Sequence, residues 1–126
     1  MAQSVLGIGI PATSDVVPWI ARGRLQKILT AMEADMKASP YDWEMLYITP
    51  ETSFDVCTSK LRERQWDVVM VGRGLRATDS LVPFFERIVN AVHQELPRTK
   101  ISFNETIEKT REAVDRVLTS QDKSQS

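Results

Sequence analysis

The chain has 126 residues, of which 42% are hydrophobic, so it is long enough for one core and falls within the usual size of a single domain. A formal net charge of -1 gives no general attraction to nucleic acid or to an anionic membrane, and no apolar run approaches the ~20 residues that span a bilayer. We therefore expect a soluble, cytoplasmic protein with no nucleic-acid or membrane partner.

The first half of the sequence predicts two strand-helix units. The first strand covers Ser4 to Ile10, and Gly7 inside it indicates that another group packs closely against the strand. Asp15 is a suitable cap for a first helix that ends near Lys37. The second strand, Glu44 to Thr49, mixes polar and apolar residues, as an edge strand does, and a second helix follows it.

The third unit begins with the most strand-like stretch of the chain. Val68 to Val71 are apolar without alternation, which is typical of a strand buried on both faces of a parallel sheet. Gly72 and Gly74 then free the backbone for unusual dihedral angles or for close approach to a ligand. Asp79 or Ser80 is expected to cap the third helix.

The fourth unit completes the predicted domain, residues 1–118. Lys100 to Phe103 form a short strand, and Asn104 is expected to cap a fourth helix that ends near Leu118. Residues 119–126 are polar and predict a disordered tail.

Four successive strand-helix units predict a parallel sheet with helices on both faces. The two most apolar strands, the first and third, belong in the middle, which gives the strand order 2-1-3-4. The chain then winds outward in opposite directions from a switch point between strands one and three. Open α/β sheets bind ligands in the crevice at such a point.

The turns after these two central strands carry similar sequences. Residues 7–22 align without gaps on residues 72–87, with identical glycines, Ala-Thr and Val-Pro pairs and a final arginine. One interpretation is a duplicated half. The other is that strand-to-helix turns draw on the same few residue types.

Arg73 and Arg76 place positive charge on the second of these turns. Two arginines on a glycine-rich turn favour a clamp for a phosphate or carboxylate. Arg73 is expected to face the crevice, with Arg76 in a less protected place; alternatively, one arginine pairs with Asp15 or Glu105. The predicted ligand-binding residues are Gly9, Thr13, Ser14, Asp15, Gly72, Arg73, Gly74, Arg76, Thr78 and Asn104.

Both turns also match G-x-G-x-x-A, a permissive form of the dinucleotide-binding fingerprint. The context argues against that use, because Asp15 and Pro18 delay the first helix and no acidic residue ends the second strand. No Gly-Lys-Ser/Thr follows either turn, which excludes a P-loop. The lone Cys57 has no neighbouring metal ligands, so the sequence predicts no metal site, and it leaves the cofactor unknown.

The order of elements resembles flavodoxin-like domains and the receiver domains of response regulators, which implies a three-layer flavodoxin-like (Rossmann-like) α/β sandwich. The acids of a receiver are replaced here by residues 9–11 and 72–73, so that phosphoryl transfer is not expected. The segments 71–76, 85–93 and 101–104 resemble a family of short microbial α/β proteins to which no activity is attached.

Two functions remain open. The first is the binding of a small anionic ligand in the crevice. The second is a non-catalytic protein-interaction module, with a decayed ligand site and aromatic residues that form a homodimer face. No nucleophile and base are seen together, so the sequence leaves open whether the protein is an enzyme. The aromatic residues in question are Trp19, Trp43, Trp66, Tyr41 and Tyr47.

Overall fold

A computed structural model describes the backbone of residues 2–125 and the side chains of residues 2–118. The strands are β1 (Ser4–Gly9), β2 (Asp42–Tyr47), β3 (Val68–Val71) and β4 (Lys100–Phe103). The helices are α1 (Arg22–Ala38), α2 (Asp55–Arg62), α3 (Arg73–Ala77), α4 (Val82–Glu95) and α5 (Thr110–Gln125). Short 3₁₀ turns at Trp19–Ala21, Asp79–Leu81 and Ile107–Lys109 precede α1, α4 and α5.

The four strands form one parallel sheet in the order β2-β1-β3-β4. This confirms the predicted α/β class and strand order, and the arrangement is consistent with a three-layer flavodoxin-like fold. Every residue of β1 and β3 is buried, as expected for central strands. Val5 lies beside Val68 and Ile8 beside Val71, so the ends of β1 and β3 lie next to each other at the switch point.

Successive side chains of a strand point to opposite faces, which divides the core into two clusters. Leu6 and Ile8 of β1 pack in the first cluster, with buried residues of α2, α3 and α4. Val5 packs in the second, with buried residues of α1 and α5. Gly7 and Gly9 therefore lie on the α1/α5 face, where β1 presents no large side chain beyond Val5.

Gly7 is required by the packing on that face. A Cβ atom at this position would lie 2.4 Å from Cη2 of Trp43 and 2.6 Å from Sδ of Met45, both from β2. These distances are far below van der Waals contact, so the expected close packing against Gly7 is confirmed. Trp43 occupies the volume that a side chain on β1 would need.

The predicted helix starts were less accurate than the strands. Asp15 does not cap α1, which begins at Arg22 after a 3₁₀ turn. The reason is local: Pro18 is extended (ψ 131°), and Arg22 instead donates to the carbonyl oxygens of Ser14 and Val17 at 3.3 and 3.2 Å. The Arg22 side chain thus supplies hydrogen bonds to the loop that a helix beginning at Asp15 would have supplied.

Two other predicted caps also differ. Neither Asp79 nor Ser80 caps a helix through its side chain, because α3 already begins one residue after Gly72 and α4 begins only at Val82. Asn104 lies six residues before α5 and is not its cap. The sequence predicted a glycine-rich loop followed by one helix. The structure has two helices there, α3 and α4, with a 3₁₀ turn between them.

Gly72 and Gly74 have negative φ angles, and so do all other described glycines, so the expected unusual dihedral angles are wrong. Close approach of a ligand to these glycines stays a prediction; at Gly72 the backbone of β1 itself lies close, since a Cβ atom there would be 3.2 Å from the carbonyl oxygen of Ile8. The predicted helix end near Leu118 is wrong, because the backbone of α5 continues to Gln125. Disorder of residues 119–126 stays a prediction, since the side chains of 119–125 and the whole of Ser126 lie outside the described residues. None of the described helices has the length and apolar composition of a membrane span.

The two halves of the aligned repeat occupy different places in their units. Gly7 lies in the middle of β1 and pairs with Met70, whereas Gly72 follows the end of β3. By strand register, the residue beside Gly72 is Gly9. A structural duplication of residues 7–22 and 72–87 stays a prediction.

Candidate functional site

A small cavity of about 70 Å³ lies at the carboxyl end of β1 and β3, on the α1/α5 face. Its position is the switch point of the sheet, where the sequence predicted a crevice. Five of the predicted site residues line it: Gly9, Gly72, Arg73, Gly74 and Asn104. The remaining lining residues are Ile10, Leu25, Leu29, Met32, Met45, Met70 and Ile107.

The cavity exists because glycines replace side chains at the ends of the central strands. A Cβ atom on Gly9 would lie 3.0 Å from Cε of Met45, and one on Gly74 would lie 3.2 Å from the Ile10 side chain. Both neighbours are among the cavity walls. Methyl groups at these positions would therefore narrow the cavity or push its walls inward.

Asn104 connects three elements at the edge of this cavity. It is only 2% exposed; its Oδ1 accepts a hydrogen bond from the Arg73 backbone N–H at 2.8 Å, and its Nδ2 donates to Oγ1 of Thr110 at 3.0 Å. The side chain thus ties the end of β4 to the first residues of α3 and α5. Because both of its polar groups have partners, Asn104 acts first as a structural link.

Arg76 is the more buried of the two arginines, contrary to the expectation that it is less protected. Its Nη2 donates to the carbonyl oxygen of Asn104, and its guanidinium lies 5.9 Å from the centre of the Phe103 ring. Its Nη1 is buried and has no hydrogen-bond partner within residues 2–118. Burial, followed by the nearby charge of Arg73, lowers the pKa of Arg76 below its usual value, although Glu105 opposes this.

Arg73 is exposed and lines the cavity. Within residues 2–118, neither Arg73 nor Arg76 forms an ion pair with an acidic side chain, so the alternative pairings with Asp15 and Glu105 are not formed. Glu105 pairs with Arg116 at 2.8 Å instead, and that hydrogen bond lowers the pKa of Glu105. The edge of the sheet therefore carries two neighbouring cations without a paired acid.

The predicted site residues of the β1–α1 loop do not line the cavity. Ser14 is buried and serves the loop itself, accepting hydrogen bonds at its carbonyl oxygen from Val17 and Arg22. Thr13 and Asp15 are exposed. Thr78 lies at the start of the second 3₁₀ turn, where its carbonyl oxygen accepts a hydrogen bond from Leu81 at 2.8 Å.

Sequence reasoning missed the apolar walls. Leu25, Leu29 and Met32 recur at helical spacing in α1, a pattern that by itself indicates only the buried face of a helix, yet all three line the cavity. Met45 and Met70 come from neighbouring strands and point to the same face as Gly7 and Gly9. These five apolar side chains lie on the same face as glycines of β1, and that combination of large apolar residues with strand glycines is the sequence signal that could have indicated a cavity.

A larger groove of about 470 Å³ lies at the opposite end of the sheet, where the strands begin, with Gln65, Asp67, Arg98 and Lys100 among its lining. Asp67 is already engaged there, because its carboxylate accepts a hydrogen bond from the Ser4 backbone N–H at 2.8 Å. We regard the smaller cavity as the candidate site because it combines the switch point, glycine walls and unpaired positive charge.

Other reactive groups do not extend this site. Cys57 lies on the buried face of α2, and burial raises the pKa of its thiol to about 11, which keeps it protonated and poorly nucleophilic. Among the described residues, no cluster of three or more His, Cys, Asp or Glu side chains could hold a metal ion. Comparisons with protein-family models, with curated proteins and with solved structures found no match.

Proposed function

We propose that the protein binds a small anion at the carboxyl edge of its sheet, with Arg73 as the contact residue and Arg76 as a supporting charge. The observation that carries this proposal is that these two guanidinium groups lie close together without an acidic partner in the described part of the chain. Each of them would be stabilised by an anion, which would offset their mutual repulsion.

The surroundings of Arg76 support the same proposal. A buried guanidinium N–H without a partner costs free energy, and in native proteins such a group calls for a specific explanation. A negative charge placed near Arg73 would interact favourably with Arg76 even without direct contact, because Arg76 is partly buried and its surroundings screen charge less than water does. Arg73, being exposed, can reach a ligand without breaking any side-chain hydrogen bond among the described residues.

The test is a thermal-shift and calorimetric titration of the full chain with acetate, butanoate and inorganic phosphate. An anion at 100 times its Kd adds about 2.7 kcal/mol to the free energy of unfolding, and at about 4 °C per kcal/mol for a chain of this size the melting temperature rises by about 10 °C. Arg73→Ala should abolish the rise and remain folded, while Arg76→Ala should weaken it.

Arg98→Ala is the matched control, because Arg98 is also exposed but lies at the opposite end of the sheet, where the strands begin. This variant should keep the full response to the anion. A wild-type protein that responds to none of the three anions would refute the proposal. Arg73→Ala that unfolds without ligand would show that Arg73 has a structural role instead.

A second candidate function is self-association as a homodimer. Trp19 and Ile20 are adjacent and 79% and 80% exposed, on the 3₁₀ turn before α1. A single exposed apolar side chain is ordinary, but a neighbouring tryptophan and isoleucine form a patch of the kind that interfaces bury. Of the other aromatic residues considered for an interface, Trp43 and Trp66 belong to the core.

Sedimentation at micromolar and higher concentrations tests this candidate. The wild type should exceed the mass of one 14.3 kDa chain, and replacing Trp19 and Ile20 with serine should restore the single-chain mass. Val56→Ser is the control, because Val56 is an exposed apolar residue on α2. A wild type that remains a single chain at all concentrations would exclude the candidate.

A further inference from the structure

The walls of the cavity restrict what the proposed anion can be. Apart from glycines, they are formed by methionine, leucine and isoleucine side chains, together with Arg73 and Asn104. Both polar groups of the Asn104 side chain are already bonded, to Arg73 N–H and to Thr110. The Asn104 amide keeps a second Nδ2–H donor, but it carries no charge. Among the lining side chains, Arg73 is the one charged group, and its guanidinium makes no side-chain hydrogen bond within residues 2–118, so it is the group that would recognise an anion.

The size of the cavity restricts the ligand further. Pockets that enclose a drug-sized ligand measure ~300–1,000 Å³, whereas this cavity measures about 70 Å³. An apolar cavity of ~150 Å³ holds a benzene molecule, so about half that volume holds roughly three or four carbon atoms. A nucleotide or flavin ring is too large to enter.

We infer that the ligand is a short aliphatic monocarboxylate of about four or five carbons, with its carboxylate on the Arg73 guanidinium and its chain in the cavity. This inference rests on the proposed anion site and adds the chemical class. A planar guanidinium pairs bidentately with a carboxylate. The flexible side chains of Met32, Met45 and Met70 can adjust around an aliphatic chain.

The experiment is calorimetric titration of the full chain with acetate, propanoate, butanoate, pentanoate and hexanoate. Each methylene that enters the cavity should tighten binding about fourfold, since burying a CH₂ group gives about 0.8 kcal/mol. The gain should stop when the cavity is full, near butanoate or pentanoate. Butan-1-ol, which has the same chain but no charge, should bind at least about tenfold more weakly than butanoate.

Two variants of the wall should move the optimum chain length in opposite directions. Leu25→Ala removes a half-buried wall residue and should favour a longer chain, whereas Gly9→Ala places a methyl group against Met45 and should favour a shorter one. Val56→Ala, on α2, is the control and should leave the optimum unchanged. Circular dichroism establishes that each variant is folded, and either wall variant alone is sufficient for the test.

The outcomes separate the ligand class from the site. If phosphate binds as tightly as any carboxylate and chain length has no effect, the class is wrong while the anion site stands. If no anion binds, both fail. If butan-1-ol binds as tightly as butanoate, the cavity binds apolar molecules without Arg73 and the carboxylate is excluded. An optimum that neither Leu25→Ala nor Gly9→Ala shifts would show that the chain does not lie in the cavity.

Discussion

Replacing Asn104 with alanine should destabilise the protein by about 2–4 kcal/mol. The side chain is almost fully buried, and its removal breaks one hydrogen bond to the Arg73 N–H at 2.8 Å and another to Thr110 at 3.0 Å. Each bond contributes about 0.5–1.5 kcal/mol, and an N–H left buried without a partner costs about 1–3 kcal/mol. For a chain of this size, about 4 °C per kcal/mol predicts a fall in melting temperature of roughly 8–16 °C.

Calorimetry and chemical denaturation of Asn104→Ala measure this change. Asn90→Ala, at an exposed position of α4, is the control and should change the free energy of unfolding by no more than about 0.5 kcal/mol. Thr110→Val removes the other end of one of the two bonds. The double variant should therefore be less destabilised than the sum of the two single variants.

A melting temperature of Asn104→Ala within about 2 °C of the wild type would refute this reasoning. It would mean that water replaces the lost side chain, or that the contact between β4 and α3 contributes nothing. Additive effects of Asn104→Ala and Thr110→Val would show that their bond is not formed in solution. Either result would also weaken the view that Asn104 fixes the position of Arg73.

Further predictions concern the core and its thiol. In chemical denaturation, Gly7→Ala should destabilise the protein by about 1–3 kcal/mol, because the added methyl group overlaps Trp43 and Met45. In the same assay, Gly23→Ala in α1 should be neutral or stabilising by up to about 1 kcal/mol, because its methyl group would meet no atom within 4 Å. Cys57 should resist alkylation at pH 8 in the folded protein and react fully after denaturation, because burial raises its pKa to about 11; rapid labelling of the native protein would contradict its burial. The free energy of unfolding should also lose the contribution of this thiol as the pH rises above about 9, because the unfolded chain releases the proton first.

The sheet was predictable because the pattern of each strand reflects its own burial. The apolar run Val68 to Val71 has no polar alternation and lies buried between two neighbours, whereas β2 contains exposed and half-buried residues and lies at an edge. Strand order followed from this contrast together with the alternation of strands and helices. The crevice then followed from topology.

The contacts within the crevice were less predictable, because they depend on side chains that are distant in sequence. Asp15 has the residue type of a cap, but Arg22 satisfies the loop carbonyls and α1 starts later. Asn104 also has the residue type of a cap, yet it bonds to a backbone N–H 31 positions away. Local propensity cannot distinguish these uses, because the same side-chain oxygen serves both.

The glycines link the fold to the proposed ligand. Gly7 has no side chain, and Trp43 from the neighbouring strand occupies the space beside it, so the middle of the sheet is closely packed. Two residues further along, at Gly9, the strand ends, and the one atom that an added Cβ would meet within 4 Å is the terminal methyl of Met45, at 3.0 Å; both residues line the cavity. Gly9 and Gly72 lie side by side at the strand ends, and the cavity that they line extends to Arg73, the residue after Gly72. An apolar space lined by one guanidinium, that of Arg73, favours a ligand that is apolar along its length and charged at one end.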